Sequence, residues 1–411
     1  WLPSRNGMMQ RKRERQLHIG FLNLANASWV AGAHYLKNLF AAIQSLELPR
    51  RPEVVLLQAP GSHPGRFDEP GIGVDRTLTV PPDPLWFTLL RGACRRLPAS
   101  IEALVTPRPP LGAYMRKHGL DVAFGYVEYG ARFNVPLLSW IPDFQHLHLP
   151  DMFPAQETAF RNRYFARIAS NATRIVVSSQ QALEDLQHFA PRSAVKGRVL
   201  PFVAQVPDSA YSSDPAWVCG QYHIPHRFVY LPNQFWRHKN HRVVIQALSL
   251  ARTHYPPIAV VCTGNTHDDR DPTYFARLLA DISRQGLRDN LIVLGMIPHE
   301  HLFALIRQSL AVLQPSQFEG WSTTVEETKS LGKSIILSDI PVHREQAPAR
   351  AAYFDPTAPE RLAECLLAAF EQYEPGPDRE LEAAARSLLP VRTKAFGEAF
   401  LKIVEEALCA R

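Results

Sequence analysis

The stretch that decides the fold runs from Leu313 to Ile336 and reads Leu313-Gln-Pro-Ser-Gln-Phe-Glu-Gly-Trp-Ser-Thr-Thr-Val-Glu-Glu-Thr-Lys-Ser-Leu-Gly332-Lys-Ser-Ile-Ile336. Its first residues form a short apolar strand that ends at Pro315. A loop that carries Glu319 follows, and Ser322 or Thr323 can cap the helix that comes next. The stretch therefore predicts a strand, a short loop and a helix start at one edge of an α/β sheet.

A helix start of this kind can hold a diphosphate. Its free backbone N–H groups and the positive end of its dipole attract an anion to the same place. Gly320 lets the backbone approach that anion closely, because glycine has no side chain. Glu319 and Glu327 stand eight positions apart and can bracket one small molecule from the loop and from the helix. Glu326 fits a plain helix-capping role instead.

Short apolar runs alternate with helical patterns along the whole chain of 411 residues. That length exceeds what one hydrophobic core usually serves, so two domains are expected. The alternation predicts a parallel, doubly wound α/β sheet in each domain. The expected strands lie at residues 17–24, 53–58, 121–124, 136–141 and 174–178 in the first domain and at 228–231, 258–263, 291–294, 310–313 and 334–337 in the second.

Changes in composition set the expected domain boundaries. Residues 1–16 are polar and basic without a period, and we expect them to be disordered. The first domain then covers 17–203, and a stretch rich in Pro, Ser and Asp predicts a linker at 204–225. The second domain covers 226–390. The last segment, 391–411, has apolar residues at helical spacing and is expected to pack back on the first domain.

The composition is that of an ordinary globular protein, with 46% hydrophobic and 20% charged residues. No apolar run reaches the roughly 18 residues of a membrane-spanning helix, and the basic run at 11–15 does not resemble a signal peptide, so a cytoplasmic location is expected. The five cysteines are far apart and predict neither disulfides nor a zinc site. Residues 1–203 hold 24 Lys and Arg against 15 Asp and Glu. They lack the aromatic interleaving of a nucleic-acid platform, so no nucleic-acid partner is expected.

The opening stretch resembles the signature of glycosyltransferase family 4, which has Pro-Ser, then Glu-Gly-aromatic, a second Glu eight residues after the first, and a small-Gly-Lys run. The resemblance implies the GT-B fold, in which two Rossmann-like doubly wound domains face each other across a cleft. It also implies a retaining transfer from a nucleotide diphosphate sugar, with no metal and no other cofactor. The matching residues are Pro315-Ser316, Glu319-Gly320-Trp321, Glu327 and Leu331-Gly332-Lys333.

A second match opens the downstream domain, at Phe228-Val-Tyr-Leu-Pro-Asn-Gln-Phe-Trp-Arg-His-Lys239-Asn-His241. The family has an Arg and a Lys here, which hold the leaving diphosphate. Lys239 fits the place of the Lys, whereas Gln234 stands near the place of the Arg. Either Arg237 supplies the second cation or Lys239 acts with backbone dipoles alone.

The resemblance assigns the donor to the second domain. Glu319 is expected against the transferred sugar and Glu327 on the ribose, with backbone groups near Met296 reading the base. The run Asp269-Arg270-Asp271 formally matches the metal signature of another glycosyltransferase fold, but its place in a polar loop argues against a metal. The implied donor-binding residues are Gln234, Arg237, Gly264, Met296, Ile297, Ser316, Gly320, Trp321, Ser322, Thr323 and Glu327.

The first domain, expected to bind the acceptor, carries weaker matches. Gly32 and His34 follow the first strand, where the family has a glycine-rich loop near the donor phosphate and the acceptor. Asp143 and His146 follow a later strand and are expected to contact the acceptor or the reacting sugar. Together with Glu319 and Lys239, these two residues form the predicted catalytic set.

Residues 84–98 combine Trp86 and Phe87 with leucines and with Arg91, Arg95 and Arg96. Such a segment can lie in a membrane interface. The alternative is a helix packed on the core with its arginines in water. A membrane contact fits a lipid-linked acceptor and places the protein at the inner face of the cytoplasmic membrane.

The expected function is transfer of a hexose-type sugar to a glycan or a lipid-linked acceptor, in surface polysaccharide or lipopolysaccharide synthesis. One rival is a nucleotide-sugar epimerase or hydrolase on the same fold, which consumes donor without acceptor. A second rival is a noncatalytic nucleotide-sugar-binding protein, suggested by the missing Arg. The sugar, the base, the acceptor and the oligomeric state stay open.

Overall fold

The structure, a computed structural model, describes residues 16–22, 30–59, 67, 72–94, 110–125, 135–252 and 257–410. The segment expected to be disordered, 1–16, lies outside these ranges except for its last residue. The loop after the first strand and residues 95–98 lie outside them as well, and the side chains of Phe87 and Arg91 are not described.

Contacts between residues divide the chain into two compact units. The first unit comprises residues up to Phe144, then Ala155–Val203 and Pro390–Arg411. The second unit comprises Gln145–Pro154 and Ala204–Leu389. The short segment that contains His146 is thus grouped with the second unit, although the chain on either side of it belongs to the first.

The elements up to residue 199 alternate between strands and helices. The strands are β1 His18–Leu22, β2 Glu53–Gln58, β3 Arg76–Thr79, β4 Val122–Gly125, β5 Leu137–Ile141, β6 Arg174–Val177 and β7 Gly197–Val199. The helices are α1 Val30–Gln44, α2 Leu85–Cys94, α3 Pro110–Lys117, α4 Gln145–His148, α5 Ala155–Asn171 and α6 Gln180–Phe189. The strands form one parallel sheet in the order β3-β2-β1-β4-β5-β6-β7.

The second half repeats this plan. Its strands are β8 Val229–Pro232, β9 Val260–Thr263, β10 Leu291–Gly295, β11 Val312–Gln314, β12 Ile335–Ser338 and β13 Ala351–Phe354. Its helices are α7 Asp208–Ser212, α8 Pro215–Gln221, α9 His241–Leu250, α10 Tyr274–Arg284, α11 His299–Gln308, α12 Thr323–Leu331, α13 Pro341–Gln346, α14 Pro359–Gln372 and α15 Arg379–Cys409. The sheet is parallel in the order β10-β9-β8-β11-β12-β13.

Both sheets have the strand order of doubly wound folds, with the first strand of each half next to a later strand on one side. The central strands are apolar along their whole length because helices cover both faces of the sheet. In β9, for example, every residue is buried. The predicted class, α/β with a doubly wound sheet in each half, is confirmed.

Three edge strands were not expected from the sequence, namely β3, β7 and β13. An edge strand has one neighbour instead of two and tolerates polar residues. Strand β3 accordingly reads Arg-Thr-Leu-Thr, with alternate residues exposed. Strand β7 is only three residues long and begins at Gly197. Neither has the continuous apolar run by which the central strands are recognised.

The core of the first unit includes an aromatic cluster to which the C-terminal helix contributes. Phe21 of β1 lies 4.9 Å from Phe40 of α1, ring centroid to ring centroid. Phe400 of α15 lies 5.6 Å from Phe124 of β4 and is fully buried. Burial of such rings stabilises the unit through the hydrophobic effect and edge-to-face contacts.

In the second unit, the parallel direction of the strands brings their carboxyl ends to one edge of the sheet. Strands β8, β9 and β11 end there at Pro232, Thr263 and Gln314. Ligands of open α/β sheets bind at this edge. In the part of the chain that is described, no helix is long and apolar enough to span a membrane.

Candidate functional site

The centre of the candidate site is an ion pair between Lys239 and Glu319. The Lys239 Nζ atom donates to Glu319 Oε1 at 2.6 Å, and the two side chains are 13% and 10% exposed. Such burial strengthens the attraction because little water screens it. The structure therefore brings together the two residues that the sequence placed at the leaving diphosphate and at the sugar.

The backbone around Lys239 explains how its side chain reaches this place. Residues Arg237–Lys239 form a single 3₁₀ turn, and Asn240 follows with φ of 58°, in the left-handed region that Asn tolerates. The Asn240 side chain donates to the carbonyl oxygens of Pro315 at 3.2 Å and Pro356 at 2.9 Å. The turn is thus fastened to the loop that carries Glu319.

Gln314, the last residue of β11, connects the pair to the helix start. Its Nε2 donates to Glu319 Oε1 at 2.9 Å and to Ser322 Oγ at 3.0 Å. Its Oε1 accepts from Asn233 Nδ2 at 2.5 Å. Gln314 is fully buried and Asn233 is 3% exposed. A polar network therefore links the ends of β8 and β11 with the first turn of α12.

The start of α12 is capped as the sequence predicted. Ser322 precedes the helix with extended backbone, and its Oγ accepts from the backbone N–H of Val325 at 3.4 Å. Gln346 of α13 accepts from the Ser322 N–H at 3.2 Å and donates to Glu326 Oε1 at 3.1 Å. Glu326 is buried and also pairs with Lys329. Its contacts serve the structure of the helix.

Glu327, expected on the ribose, lies one turn into α12. Its Oε1 is 3.0 Å from Nε2 of His299, the first residue of α11. The Glu327 side chain is 7% exposed, whereas His299 is 49% exposed. The buried carboxylate is thus held by a histidine that is itself half exposed to solvent.

The loops after β8, β9 and β10 carry other predicted donor contacts. Gln234 Oε1 accepts from the Asn265 N–H at 2.8 Å, so this amide holds a loop together. Gly264 has φ of 141°, and a Cβ there would lie 2.2 Å from the Asn233 carbonyl oxygen. Only glycine fits between the two loops. Met296 is 68% exposed, and Ile297 beside it is half-buried.

Arg237 was the candidate for the second cation. Its guanidinium is exposed and donates to the carbonyl oxygen of Asp151 at 3.4 Å. It lines a cavity of about 260 Å³ together with Asp268 and Arg270. Among the described residues, Lys239 is the cation that pairs with the Glu319 carboxylate.

The predicted catalytic residues Asp143 and His146 fall in different units. Asp143 belongs to the first unit, where its Oδ1 is 3.6 Å from Arg161 Nη1. His146 lies in α4 of the second unit, is 1% exposed, and its ring centroid is 6.2 Å from that of Phe153.

The segment around His146 is nevertheless anchored beside Glu319. The His148 ring lies 4.9 Å from the ring of Phe318, the residue before Glu319. Arg270 donates to Gln145 Oε1 at 3.1 Å, and its guanidinium lies 4.9 Å from the centroid of the Phe153 ring. Hydrogen bonds and ring contacts thus hold Gln145–Pro154 on the second unit.

The other predicted site residues lie at the starts of helices α1 and α12 and in the loop before α12. Gly32 and His34 lie in the first turns of α1, and the loop before them is outside the described residues. Ser316 is buried, and its Oγ has no hydrogen-bond partner among the described residues. Gly320, Trp321 and Thr323 are half-buried around the capped helix start.

The acidic run at 269–271 makes ion pairs with neighbouring side chains. Asp271 pairs with Arg277 at 2.5 Å, and Asp269 lies 3.0 Å from His267. Within the described ranges, no three His, Cys, Asp or Glu residues are grouped so that they could hold a metal ion.

Two buried histidines border the site. His241, two residues after Lys239, is fully buried and stacks on Phe235 at 4.3 Å, and burial lowers its pKa to about 3. His343 of α13 donates from Nδ1 to the Ser338 carbonyl oxygen at 2.9 Å, and burial also lowers its pKa, against a smaller opposing effect of Glu319. Both rings are neutral at pH 7.

Residues 225–388 match the family model described as Glycosyl transferases group 1. That segment contains Lys239, Gln314, Glu319 and Glu327. No curated protein sequence matches the chain.

Solved structures resemble the chain over nearly its whole length. The structure of Alr3699/HepE from Anabaena in complex with UDP and glucose has a TM-score of 0.67 at 16% identity, over 95% of this chain and 100% of that one. A glycosyltransferase from Rickettsia africae has a TM-score of 0.65 at 14% identity, over 96% of this chain and 99% of that one. WaaG, a glycosyltransferase involved in lipopolysaccharide biosynthesis, has a TM-score of 0.57 at 12% identity, over 95% of this chain and 98% of that one. The fold is GT-B, as the resemblance implied.

Sequence reasoning missed Gln314, Asn233 and His299. A signal for the first two was present, because each is a polar residue at the end of an apolar strand that points to the ligand edge of the sheet. His299 carried no such signal, since its partner Glu327 is 28 positions away in sequence.

Proposed function

We propose that this protein is a retaining glycosyltransferase that moves a hexose-type sugar from a nucleotide diphosphate sugar to a glycan or a lipid-linked acceptor. The group 1 match and the GT-B fold support a glycosyltransferase. The observation that carries the proposal is the buried Lys239–Glu319 pair beside the capped start of α12. A cation, a carboxylate and a helix start are there within one network.

Each part of this arrangement suits one part of the donor. The start of α12 offers backbone N–H groups and a positive dipole end to the diphosphate. Lys239 adds a positive charge where negative charge develops as the diphosphate leaves. Glu319 accepts hydrogen bonds from hydroxyl groups of the sugar, and Glu327, held by His299, binds the ribose.

A UDP-sugar is the first donor to test. HepE, which shares the fold, has been crystallised with UDP and glucose and with UDP-glucose. We propose that transfer proceeds with retention: the acceptor hydroxyl attacks the face from which the diphosphate leaves and gives its proton to the departing diphosphate. In this reaction no protein nucleophile, metal or other cofactor takes part.

The proposal is tested by incubating the protein with a panel of nucleotide sugars and with glycan and lipid-linked acceptors. We expect one donor to be consumed in an acceptor-dependent manner, and NMR of the product to show the same anomeric configuration as the donor. Glu319→Gln keeps the shape of the side chain and should abolish transfer while it still binds nucleoside diphosphate. Donor loss without acceptor would indicate the epimerase or hydrolase instead. Donor binding without turnover would indicate a noncatalytic binding protein.

We also propose that helix α2 contacts the membrane on which a lipid-linked acceptor resides, at the inner face of the cytoplasmic membrane. Its four described large apolar side chains are exposed, with Leu85 at 82%, Trp86 at 58%, Leu89 at 74% and Leu90 at 46%. Exposure of this much contiguous apolar surface is unusual for a monomer in water. The three arginines of the segment suit anionic lipid.

Co-sedimentation with vesicles of neutral and of anionic lipid tests this contact. Trp86→Ala combined with Leu89→Ala should reduce binding to anionic vesicles several-fold. Trp217→Ala is the matched control, since Trp217 is 59% exposed in the second unit. Equal binding of wild type and both variants would exclude α2 as the contact.

A further inference from the structure

We infer that Gln314 is a positioning residue that fixes the Glu319 carboxylate against the sugar when Lys239 turns toward the diphosphate. This inference rests on the proposed function and deepens it. Gln314 is fully buried at the end of β11, and its NH₂ group donates to Glu319 and Ser322. It therefore acts through those two residues.

The orientation of the Gln314 amide follows from its partners. An ionised carboxylate only accepts hydrogen bonds, so the group that faces Glu319 is the NH₂ of the amide. The same NH₂ donates its second hydrogen to Ser322 Oγ. The carbonyl oxygen accepts from Asn233 on the opposite side. Both hydrogens of the NH₂ group and the carbonyl oxygen of this fully buried side chain therefore have partners, which fix the orientation of the amide.

Glu319 uses one oxygen for both of its partners. Lys239 Nζ and Gln314 Nε2 both donate to Oε1, at 2.6 and 2.9 Å. Among the described residues nothing donates to Oε2. One carboxylate oxygen is therefore saturated by the protein, and the other is left to accept from a hydroxyl group of the donor sugar.

The two partners differ in what they do when a donor binds. Lys239 has a long flexible side chain with a mobile charge, and a diphosphate at the start of α12 attracts it away from Glu319. Gln314 cannot follow, because it is buried and Asn233 holds its carbonyl oxygen. After Lys239 has moved, Gln314 is the described donor that keeps the carboxylate in place.

Gln314 also ties the sugar side of the site to the diphosphate side. Ser322 Oγ accepts both from Gln314 and from the Val325 N–H of the first helical turn. A rotation of the Gln314 amide would break its hydrogen bonds to Ser322 and to Glu319 at the same time. Catalysis depends on such fixed geometry, since small displacements of a positioned group cost large factors in rate.

Gln314→Glu is the decisive variant, because it keeps the shape and replaces the NH₂ by an oxygen. The introduced carboxylate cannot donate to Glu319 and repels it. The loss of one hydrogen bond to a charged group corresponds to a fall in kcat/KM of about 10- to 100-fold at pH 8. A protonated carboxyl donates again, and a neighbouring carboxylate raises the pKa of the introduced group. We therefore expect the defect of the variant to shrink as the pH is lowered from 8 to 5.5.

In the described part of the chain, Glu319, the neighbour of the introduced carboxylate, and the charged and titratable groups that interact with it come from three elements. Lys239 comes from the turn before α9, Glu319 from the loop after β11, and His343 from α13. His343 is present in the wild type and in every variant, so the pH dependence of the wild type records its contribution in the absence of the introduced charge. The quantity to compare is the ratio of variant to wild-type kcat/KM at each pH.

Two further variants complete the experiment. Gln314→Met has nearly the same shape, cannot donate a hydrogen bond and does not titrate, so its defect should be constant with pH. Gln308→Met replaces another buried glutamine, 4% exposed at the end of α11, and should leave kcat/KM within about twofold of wild type. Circular dichroism and the melting temperature of each variant identify any that fail to fold.

The assay measures release of nucleoside diphosphate from the nucleotide sugar that the wild type consumes. A pH-dependent recovery in Gln314→Glu without recovery in Gln314→Met supports the inference. Full activity in either variant at pH 8, or the same loss at every pH in both, overturns it. A wild type that consumes no nucleotide sugar of the panel contradicts the proposed function instead.

Discussion

Replacement of Lys239 by Met separates the structural contribution of the ion pair from its contribution to catalysis. In the structure the ammonium is 2.6 Å from Glu319 Oε1, and both side chains are at least 87% covered. Met removes the charge and keeps most of the side-chain volume. Glu319 then retains Gln314 as its donor but loses its counter-ion.

The expected loss of stability follows from this geometry. Breaking a fully buried ion pair on one side costs about 3–5 kcal/mol, because the remaining charge stays buried. Here Gln314 still donates to the carboxylate and about a tenth of each side chain meets water, so we expect about 2 kcal/mol. Glu319→Gln alone should cost less, because the amide oxygen of the introduced Gln can still accept a hydrogen bond from the Lys239 ammonium. In the double variant the two effects should partly cancel, with a coupling of at least about 1 kcal/mol.

Activity should behave differently from stability. Loss of one cation at a developing negative charge costs about 10²- to 10³-fold in kcat. The double variant regains stability but not activity, because the leaving diphosphate still lacks its cation. Urea denaturation and steady-state kinetics on the four proteins of the cycle measure both effects. Strictly additive stabilities would refute the pairing, and a Lys239→Met enzyme with more than a tenth of the wild-type kcat would refute the catalytic role.

Three further predictions concern other parts of the second unit. Gly264→Ala should destabilise the protein by about 2 kcal/mol or more, because a Cβ would meet a backbone oxygen at 2.2 Å, whereas Gly220→Ala, with open space around it, should be harmless in the same urea titration. Burial lowers the pKa of His241 to about 3, so the unfolded chain binds a proton below about pH 6.5 that the native protein does not. About 2 kcal/mol of stability should therefore be lost between pH 6.5 and 5, and His241→Leu should show a smaller loss over that range. His299→Ala should raise the KM for the nucleotide sugar several-fold with little change in kcat, since Glu327 loses the partner that orients it; an unchanged KM would contradict this.

The sequence was sufficient to predict the class of fold and the strand–loop–helix at the centre of the site. Central strands are buried on both faces and appear as continuous apolar runs, as at Val260–Thr263. The cap at Ser322 was predictable because capping depends on residues only three positions apart. Edge strands such as β3 lack that signal, since polar residues are tolerated there.

The contacts within the site were less accessible to sequence reasoning. Lys239 and Glu319 are 80 positions apart, and only the resemblance to a known signature suggested that they act at one ligand. The role of Gln314 depends on the direction of a buried amide, which is set by three partners from separate elements. Arg237 is only two positions from Lys239 in sequence, but its side chain donates to the Asp151 carbonyl oxygen. Proximity in sequence therefore did not predict its contact.

The most direct test of the account is the effect of nucleotide sugars on thermal unfolding of the wild type and of Lys239→Met. A ligand at a hundred times its Kd stabilises the native state by about 2.7 kcal/mol, which for a domain of this size raises the Tm by about 5–10 °C. We predict such a rise for one nucleotide sugar with the wild type and a much smaller rise with the variant. No rise with any nucleotide sugar, or the same rise in both proteins, would contradict a donor site built on Lys239 and Glu319.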